Sequence, residues 1–280
     1  MTISETKKQF NQTLFRWHKT HYREMAWRNT KNPYRILVSE IMLQQTQVER
    51  VRGKYAEFLK LFPTVQMLAR ASLGDVLRAW SGLGYNRRAK YLHQCAKEVV
   101  SKYHGRFPRD VATLMMFPGI GLSTAGALMA FAFDADEPMI DTNIRRIVCR
   151  AFFKKNIPND KELYLFAKSL IPKGKGREWN YAMLDLGATF CTARHHSDEC
   201  PMGALHGPVD DFVAKKPQKK FAHSDRFYRG RILAHLVLGT STVQKLRAEL
   251  RLPQSRLNAL LEKLTKEHLI ISNNKALKLP

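Results

Sequence analysis

The chain has 280 residues, 44% of them apolar, so it is long enough to bury one large core or two modest ones. Its formal charge of +23, from 47 Lys and Arg against 24 Asp and Glu, predicts a polyanionic partner, nucleic acid before an anionic lipid surface. The polar first residues, the short apolar runs and the four scattered cysteines argue against a secretory signal, a membrane span and a disulfide framework, and a reducing cytoplasm is expected.

In residues 7–206, the first long segment of the chain, apolar residues recur with the period of a helix. Pro and Gly breakers divide this segment into helices of ordinary length, and almost no stretch alternates with the period of a strand. We therefore predict a mainly α fold, with a first domain over residues 1–206.

Residues 114–127 read as an apolar helix end, a turn and a second helix that is rich in small residues. The turn contains Pro118, Gly119 and Gly121. Glycine lets backbone amides approach a phosphate closely, at the positive end of the helix that follows. The segment predicts a helix-hairpin-helix that binds the DNA backbone without reading its sequence, although a plain corner between two helices would give the same pattern.

Residues 207–226 are rich in Lys and Pro and are predicted to form a basic linker. Residues 227–280 contain three short helical patterns, at 229–238, 242–250 and 254–267, and then two apolar segments. We predict a small winged-helix-like domain, in which Ser241 or Thr242 caps a helix, Pro253 begins the next turn and Asn273-Asn274 forms the hairpin tip. The alternative is a small helical cap that packs on the first domain without contacting DNA.

Five motifs of the first domain resemble one known family, the A/G-specific adenine DNA glycosylases or MutY family. They have the family's order and spacing: Trp27-Arg28, Asn32-Pro33-Tyr34-Arg35, Val38-Ser39-Glu40-Ile41-Met42-Leu43-Gln44-Gln45-Thr46-Gln47, Gly82-Leu83-Gly84-Tyr85 and Asp141-Thr142-Asn143-Ile144-Arg145-Arg146. The resemblance covers about residues 10–206 and implies a two-lobed helix-hairpin-helix glycosylase domain. It also implies a monomeric, nucleoid-associated repair enzyme that excises adenine mispaired with 8-oxoguanine or guanine in double-stranded DNA.

Excision of a base from a duplex requires an extruded nucleotide, an acid for the purine and a carboxylate that faces the sugar cation. Glu40 lies on a mostly apolar helix, where partial burial would raise its pKa and let it protonate adenine N7. Asp141 precedes a helix that it could cap, and the resemblance implies that it stabilises the sugar cation while Asn143 holds it. An ordinary surface Glu and a purely capping Asp are the alternatives.

The resemblance also assigns residues that contact the substrate. It implies that Gln44, Gln45 and Thr46 enter the base stack as a wedge, that Trp27, Arg28 and Asp185 line the adenine pocket, and that Tyr85 contacts DNA. Related bifunctional glycosylases carry a lysine where this chain has Ser123, and that amine forms a Schiff base with the sugar. Ser123 therefore implies a monofunctional hydrolase without a lyase step.

The family's metal motif is incomplete in this chain. Typical members carry four cysteines that bind a [4Fe-4S] cluster at the end of the glycosylase domain. Here Cys191 and Cys200 remain, while Ser197 and His206 stand where thiolates would be. We expect no cofactor and no iron-sulfur cluster, and a zinc site formed by Cys191, Cys200 and His206, His195 or His196 is the alternative.

The family's usual C-terminal domain, which reads 8-oxoguanine, is too large for the residues that remain here, and Phe221 to Ser224 match its Phe-Ser-His loop too faintly to carry that role over. Two other functions stay open. A thymine or uracil mismatch glycosylase would need no acid at a purine N7, so Glu40 argues against it. A non-catalytic DNA-binding protein would need neither Glu40, Asp141 nor Asn143.

Overall fold

The structure is a computed structural model that describes residues 2–153, 157–192, 199–205, 221–273 and 276–280. Across these residues the chain forms fourteen α-helices and two short strands, which confirms the prediction of a mainly α fold. None of the helices in the described ranges combines the length and the apolar character that a bilayer crossing requires.

The helices before the predicted linker are α1 (Ile3–His21), α2 (Pro33–Leu43), α3 (Val48–Leu61), α4 (Val65–Arg70), α5 (Leu73–Ala79), α6 (Arg87–Tyr103), α7 (Val111–Leu114), α8 (Leu122–Phe133), α9 (Thr142–Val148), α10 (Asp160–Leu170) and α11 (Gly176–Thr189). Short 3-10 turns at Ala26–Arg28 and Gly203–Leu205 and a π-helical turn at Cys149–Phe153 complete this part. The later elements are α12 (Asp225–Leu238), α13 (Val243–Leu250), α14 (Gln254–Lys266), β1 (Ile271–Asn273) and β2 (Ala276–Lys278).

The chain divides into two compact units. The first comprises Met1–Leu37, Arg109–Met116 and Ile120–Pro217, and the second comprises Val38–Pro108, Phe117–Gly119 and Gln218–Pro280. The last three helices and the strands therefore share a unit with α3 to α6.

The core of the first unit lies where α1, α9, α10 and α11 pack together. Phe10 and Leu14 form the apolar stripe of α1 and are fully buried, as is Trp179 of α11. The indole Nε1 of Trp179 donates a hydrogen bond to Asn11 Oδ1 over 3.1 Å, so the buried ring keeps no unsatisfied donor. Burial of each such side chain stabilises the fold by about 2 kcal/mol.

The core of the second unit is built around α6, which packs against α4 and α5. Leu92 and Val99 of α6 are fully buried. Phe58 of α3 meets Trp80 edge to face, with the ring centroids 5.9 Å apart. Trp80 directly precedes the turn from Ser81 to Tyr85, and its Nε1 donates a hydrogen bond to the Gly84 carbonyl oxygen over 3.1 Å, so the aromatic pair supports this turn.

The C-terminal helices follow the predicted pattern closely. Thr242 caps α13 by accepting a hydrogen bond from Lys245 N, and Pro253 directly precedes α14, as predicted. Ser241 instead pairs with Leu277 through two backbone hydrogen bonds. Helix α12 begins earlier than the apolar pattern predicts, because Ser224 caps it.

The two strands form an antiparallel hairpin in which Ile271 lies opposite Lys278 and Asn273 opposite Ala276. Asn273 ends β1, whereas Asn274 of the predicted hairpin tip lies outside the described residues. The order of three helices and a hairpin is the one that the winged-helix-like prediction requires, and contact of this part with DNA stays a prediction.

Candidate functional site

Glu40 lies in the middle of α2, a helix that the sequence starts with two clear signals. Asn32 Oδ1 accepts hydrogen bonds from the amides of Tyr34 and Arg35 at 3.0 and 3.2 Å, and Pro33 occupies the first helical position. Most of the helix is buried and apolar, which leaves the Glu40 side chain only 7% exposed. The predicted burial of this carboxyl group is thus confirmed.

The predicted wedge follows directly after α2. Gln45 is exposed and has a φ of 57°, in the left-handed region that residues other than glycine rarely adopt. Gln44 and Thr46 on either side of it are half-buried. A residue with a strained backbone and an exposed side chain is the type of feature that recurs at functional sites.

Arg88 connects this wedge to the Gly82 to Tyr85 turn. Its Nη1 donates to the carbonyl oxygens of Ile41 and Met42 at 2.8 and 2.9 Å and to that of Gln44. Its Nη2 donates to Thr46 Oγ1 at 2.9 Å and to the carbonyl oxygens of Leu83 and Gly84, at 3.3 and 3.2 Å. One guanidinium therefore fixes both turns in the second unit.

Arg88 remains cationic although it is buried, and it supports Tyr85. Burial lowers the pKa of Arg88 to about 10, which still leaves the group charged at neutral pH. The guanidinium carbon lies 5.4 Å from the centroid of the Tyr85 ring, and Tyr85 is 40% exposed with a φ of 48°. Arg88 is not among the predicted site residues, although an arginine on the apolar face of α6, beside the buried Ala89 and Leu92, is a signal of such a role.

Replacing Arg88 by methionine is expected to lower the free energy of unfolding by about 3 kcal/mol, because several buried carbonyl oxygens lose their donor. Urea unfolding followed by circular dichroism measures this change. Arg78→Met, which removes a half-exposed arginine paired with Asp75, should change stability by less than about 0.5 kcal/mol. Equal midpoints for the two variants would contradict the organising role of Arg88.

The predicted helix-hairpin-helix connects α7 to α8. Gly119 has a φ of +81°, and a Cβ atom there would lie 2.9 Å from Tyr91 Cβ, so the turn requires glycine. Gly121 is exposed and precedes α8, and a Cβ atom there would meet nothing within 4 Å. The turn beside Pro118 thus has an open face at the start of a twelve-residue helix, as backbone binding would need.

Ser123 is the second residue of α8 and is half-buried. Thr124 and Ala125 after it are buried, so the segment turns inward at this point. The side chain at this position is a hydroxyl group and offers no amine.

Asp141 caps α9, which confirms the predicted capping role. Its Oδ1 accepts hydrogen bonds from the amides of Asn143 and Ile144 at 2.9 and 2.8 Å, and Asn143 Nδ2 donates to Oδ2 over 3.2 Å. Burial raises the pKa of Asp141, while these three donors and the nearby Arg146 charge oppose the rise. The carboxylate is therefore held in one orientation at the positive end of a helix.

Asn143 owes its position to a glycine on the neighbouring helix. A Cβ atom on Gly187 of α11 would lie 2.5 Å from Asn143 Cβ, so only glycine allows this approach. Arg146 Nη1 donates to Asn143 Oδ1 over 3.3 Å and also donates to the carbonyl oxygen of Cys191. Asp141 is therefore linked through two side chains to the remaining cysteine segment.

The remaining cysteines do not fit an iron-sulfur cluster. Cys191 and Cys200 are both buried, and Arg150 Nη1 donates to Cys191 Sγ over 2.7 Å. The Cys191 sulfur thus has a guanidinium, not a second thiolate, as its hydrogen-bonding partner. Burial raises the pKa of the Cys200 thiol to about 11.

Zinc has no complete ligand set in the described ranges either, where no three His, Cys, Asp or Glu side chains come together in a way that could hold a metal ion. The candidate ligands His195, His196 and His206, and Ser197 of the family's cysteine pattern, lie outside those ranges.

Arg28 and Asp185 form a buried ion pair in the first unit. Arg28 Nη1 and Nη2 donate to the two carboxylate oxygens at 2.7 and 2.8 Å, and His18 Nε2 lies 3.1 Å from Oδ2. Burial opposes ionisation of Asp185, but the hydrogen bonds from His18 and Arg28 outweigh it and lower its pKa. Asp185 is fully enclosed, so it can act on a ligand only by orienting its partners Arg28 and His18.

Arg28 lines a concavity of about 480 Å³ whose other walls carry cationic and aromatic side chains together with the acidic Asp134 and Glu178. Its guanidinium carbon lies 4.5 Å from the centroid of the Tyr181 ring and 5.3 Å from that of Tyr22, both of which also line the concavity. Trp27 is only 5% exposed and does not line it. A cation between two aromatic rings forms a rigid wall against which a base could stack.

The predicted site residues thus form three groups. Gln44, Thr46 and the Tyr85 turn are joined through Arg88, Arg28 joins Asp185, and Asn143 joins Asp141. Glu40 belongs to the second compact unit and Asp141 to the first.

Comparison with known proteins gives a consistent result. Residues 38–173 match the HhH-GPD superfamily of base excision DNA repair proteins. The adenine DNA glycosylase of Mycolicibacterium smegmatis is 40% identical over 245 residues, which are 85% of this chain and 83% of that protein. The Homo sapiens adenine DNA glycosylase is 35% identical over 70% of this chain, which spans only 38% of the human protein.

Solved structures share the fold. A thermostable thymine-DNA glycosylase superposes with a TM-score of 0.68 at 30% identity, over 72% of this chain and 96% of that one. Endonuclease III in a non-covalent DNA complex superposes with a TM-score of 0.63 at 22% identity, over 71% of this chain and 94% of that one. The chain therefore belongs to the adenine DNA glycosylases, within the helix-hairpin-helix superfamily of base excision repair proteins.

Proposed function

We propose that this protein binds double-stranded DNA and hydrolyses the N-glycosidic bond of an adenine mispaired with 8-oxoguanine or guanine. The observation that carries the proposal is the carboxyl group of Glu40, buried in the apolar helix α2 at the centre of the family's string. A carboxyl group in such a surrounding can retain the proton that a departing purine needs.

The chemistry follows from two carboxyl groups with different surroundings. Glu40 gives its proton to adenine N7 while the C1′–N9 bond breaks and its electron pair moves to the purine. Asp141, held by the α9 amides and Asn143, stabilises the sugar cation. The oxygen of water then bonds to C1′, the released proton returns to Glu40, and an abasic site and free adenine remain.

Ser123 supports a monofunctional reaction. Ser123, the second residue of α8, has a hydroxyl group that cannot form an imine with the sugar. It therefore cannot start the strand cleavage that a lysine at this position would support. The open face of the hairpin at Pro118, Gly119 and Gly121 would bind the backbone phosphates. In this proposal the enzyme acts as a monomer and associates with the nucleoid, where its DNA substrate is found.

The protein works without a cofactor in this proposal. The donor set around Cys191 and Cys200 favours a segment fixed by Arg150 and Arg146 rather than by iron or zinc. Metal analysis of the purified protein should find iron and zinc far below one atom per chain, and stoichiometric amounts of either would overturn this part.

Single-turnover assays test the function directly. Four duplexes that differ only in the mispair, 8-oxoguanine:A, G:A, G:T and G:U, should separate adenine release from pyrimidine release. We expect product from the two adenine duplexes, and reduction with borohydride should trap no covalent protein-DNA adduct. An adduct would show that an amine attacks the sugar and would contradict the role given to Ser123.

The G:T and G:U duplexes test the second candidate function, which is removal of thymine or uracil. Thymine or uracil removal is kept as a candidate because a thymine-DNA glycosylase shares the fold at 30% identity. Release from G:T or G:U without release of adenine would replace the proposed function with this one. Absence of release from all four would favour a DNA-binding protein without catalytic activity.

A further inference from the structure

Within the second unit, the C-terminal residue Glu267 links α12 to α6. Glu267 accepts hydrogen bonds from Arg87 Nη2 at 2.7 Å and from Arg229 Nη1 at 2.9 Å, and Lys90 Nζ donates to its carbonyl oxygen at 2.8 Å. Burial opposes ionisation of Glu267, but the hydrogen bonds from Arg229 and Arg87 lower its pKa to about 2. The contact therefore persists at every pH at which the enzyme would work.

The far end of the chain adds a second point of attachment. Gly74 N donates to the carbonyl oxygen of Pro280 over 2.8 Å, and a Cβ atom on Gly74 would lie 2.4 Å from that oxygen. The C-terminal helices are consequently not a tethered neighbour of the helical domain but a part of the same packed unit.

This attachment brings Arg226 to Tyr85. Arg226 is the second residue of α12, and its Nη1 donates a hydrogen bond to the Tyr85 phenol oxygen over 2.9 Å. Tyr85 projects from the same turn that Arg88 ties to the wedge residues Gln44 and Thr46. A residue from the C-terminal part thus contacts the exposed Tyr85 side chain of the glycosylase part, for which DNA contact is predicted.

The chemistry of this pair suits an unpaired purine. When adenine leaves the stack, the base opposite it loses its hydrogen-bonding partner but stays in the duplex. An exposed aromatic ring can stack on or wedge beside such a base. 8-Oxoguanine has a carbonyl oxygen at C8 and a hydrogen on N7, whereas guanine has a hydrogen at C8 and an acceptor at N7, so an arginine that donates to the C8 carbonyl oxygen favours 8-oxoguanine. Tyr85 supplies the ring and Arg226 supplies planar, charged donors. The Arg226 Nη1 atom lies 2.9 Å from the Tyr85 phenol oxygen.

We propose that Arg226 is a specificity-determining residue that, together with Tyr85, reads the purine opposite the excised adenine. The inference rests on the proposed adenine excision and extends it, because it assigns the discrimination between 8-oxoguanine and guanine to α12. The carboxylate of the neighbouring Asp225 forms ion pairs with Arg256 and Lys263, both at 3.3 Å. Its negative charge is therefore balanced by these two side chains and does not require Arg226.

The test measures the ratio of single-turnover rates on 8-oxoguanine:A and G:A duplexes with the full chain. Arg226→Leu removes the guanidinium, and Tyr85→Phe removes only the oxygen that accepts its hydrogen bond. Each change is expected to lower the ratio by about tenfold, and Arg226→Lys should restore part of it. The double variant should lose no more than either single variant, because both remove one shared contact.

Arg231→Leu is the matched control, since Arg231 is exposed on the same helix and its guanidinium carbon lies 5.9 Å from the centroid of the Phe227 ring. Its ratio should equal that of the wild type. Unchanged ratios in Arg226→Leu and Tyr85→Phe, additive losses in the double variant, or a wild type without preference would each overturn the inference. A wild type that releases no adenine from either duplex would instead overturn the proposed function.

Discussion

Replacing Glu40 by glutamine is expected to lower the single-turnover rate of adenine release by at least about a thousandfold, because general acid catalysis contributes effects of this size. The amide has the shape of the acid but no proton that it can give to N7. Affinity for the 8-oxoguanine:A duplex should stay close to that of the wild type, since no contact to the DNA backbone is removed. Quenched-flow measurement of free adenine gives the rate, and fluorescence anisotropy gives the affinity.

Glu49→Gln provides the matched control. Glu49 lies at the start of α3 and its side chain is 79% exposed, so the loss of its charge should leave adenine release unchanged. A Glu40→Gln variant with a rate within about tenfold of the wild type would show that another group protonates the purine. A variant that unfolds at a lower temperature than Glu49→Gln would indicate a structural part in the effect.

Replacing Asp141 by asparagine should lower the rate by about a hundredfold to a thousandfold, the usual effect of removing a group that stabilises charge in the transition state. Asparagine caps helices about as well as aspartate, so α9 should remain intact. The lost quantity is the negative charge that faces the sugar cation. Thermal unfolding checks the fold, and the same release assay measures the rate.

Asp110→Asn is the corresponding control, because Asp110 caps α7 through a hydrogen bond from Thr113 N at 2.7 Å and is exposed. It should leave the rate unchanged. The reaction needs Asp141 ionised, and burial raises its pKa above the ordinary 3.8, so the rate should fall with decreasing pH earlier than for an ordinary aspartate. Persistence of that acidic decline in Asp141→Asn would assign it to another group.

Local features of the site were predictable from sequence. The apolar surroundings of Glu40, the capping role of Asp141 and the turn at Gly119 all depend on residues within a few positions of each other. The same holds for the C-terminal helices, where Thr242 and Pro253 mark the helix starts as predicted. Such signals act through backbone hydrogen bonds over one or two helical turns.

Contacts between distant parts of the chain were not predictable. Arg88 reaches back to Ile41 and Met42, and Arg226 reaches Tyr85 across 141 positions of the sequence. No periodic pattern encodes which carbonyl oxygens a buried guanidinium will find, since that depends on how whole helices pack. Arg150 beside Cys191 is a similar case, because sequence showed the missing cysteines but not the group that contacts the sulfur.

The guanidinium of Arg88 has a consequence for how the enzyme examines DNA. Its nitrogen atoms donate hydrogen bonds to the turn after α2 and also to the turn at Leu83 and Gly84. If Arg88 moves with one turn, it therefore loses its hydrogen bonds to the other. We therefore expect Gln45 and Tyr85 to enter and leave a duplex in one kinetic step. In the proposed function, Gln45 and Tyr85 would therefore test each base pair together and not one after the other.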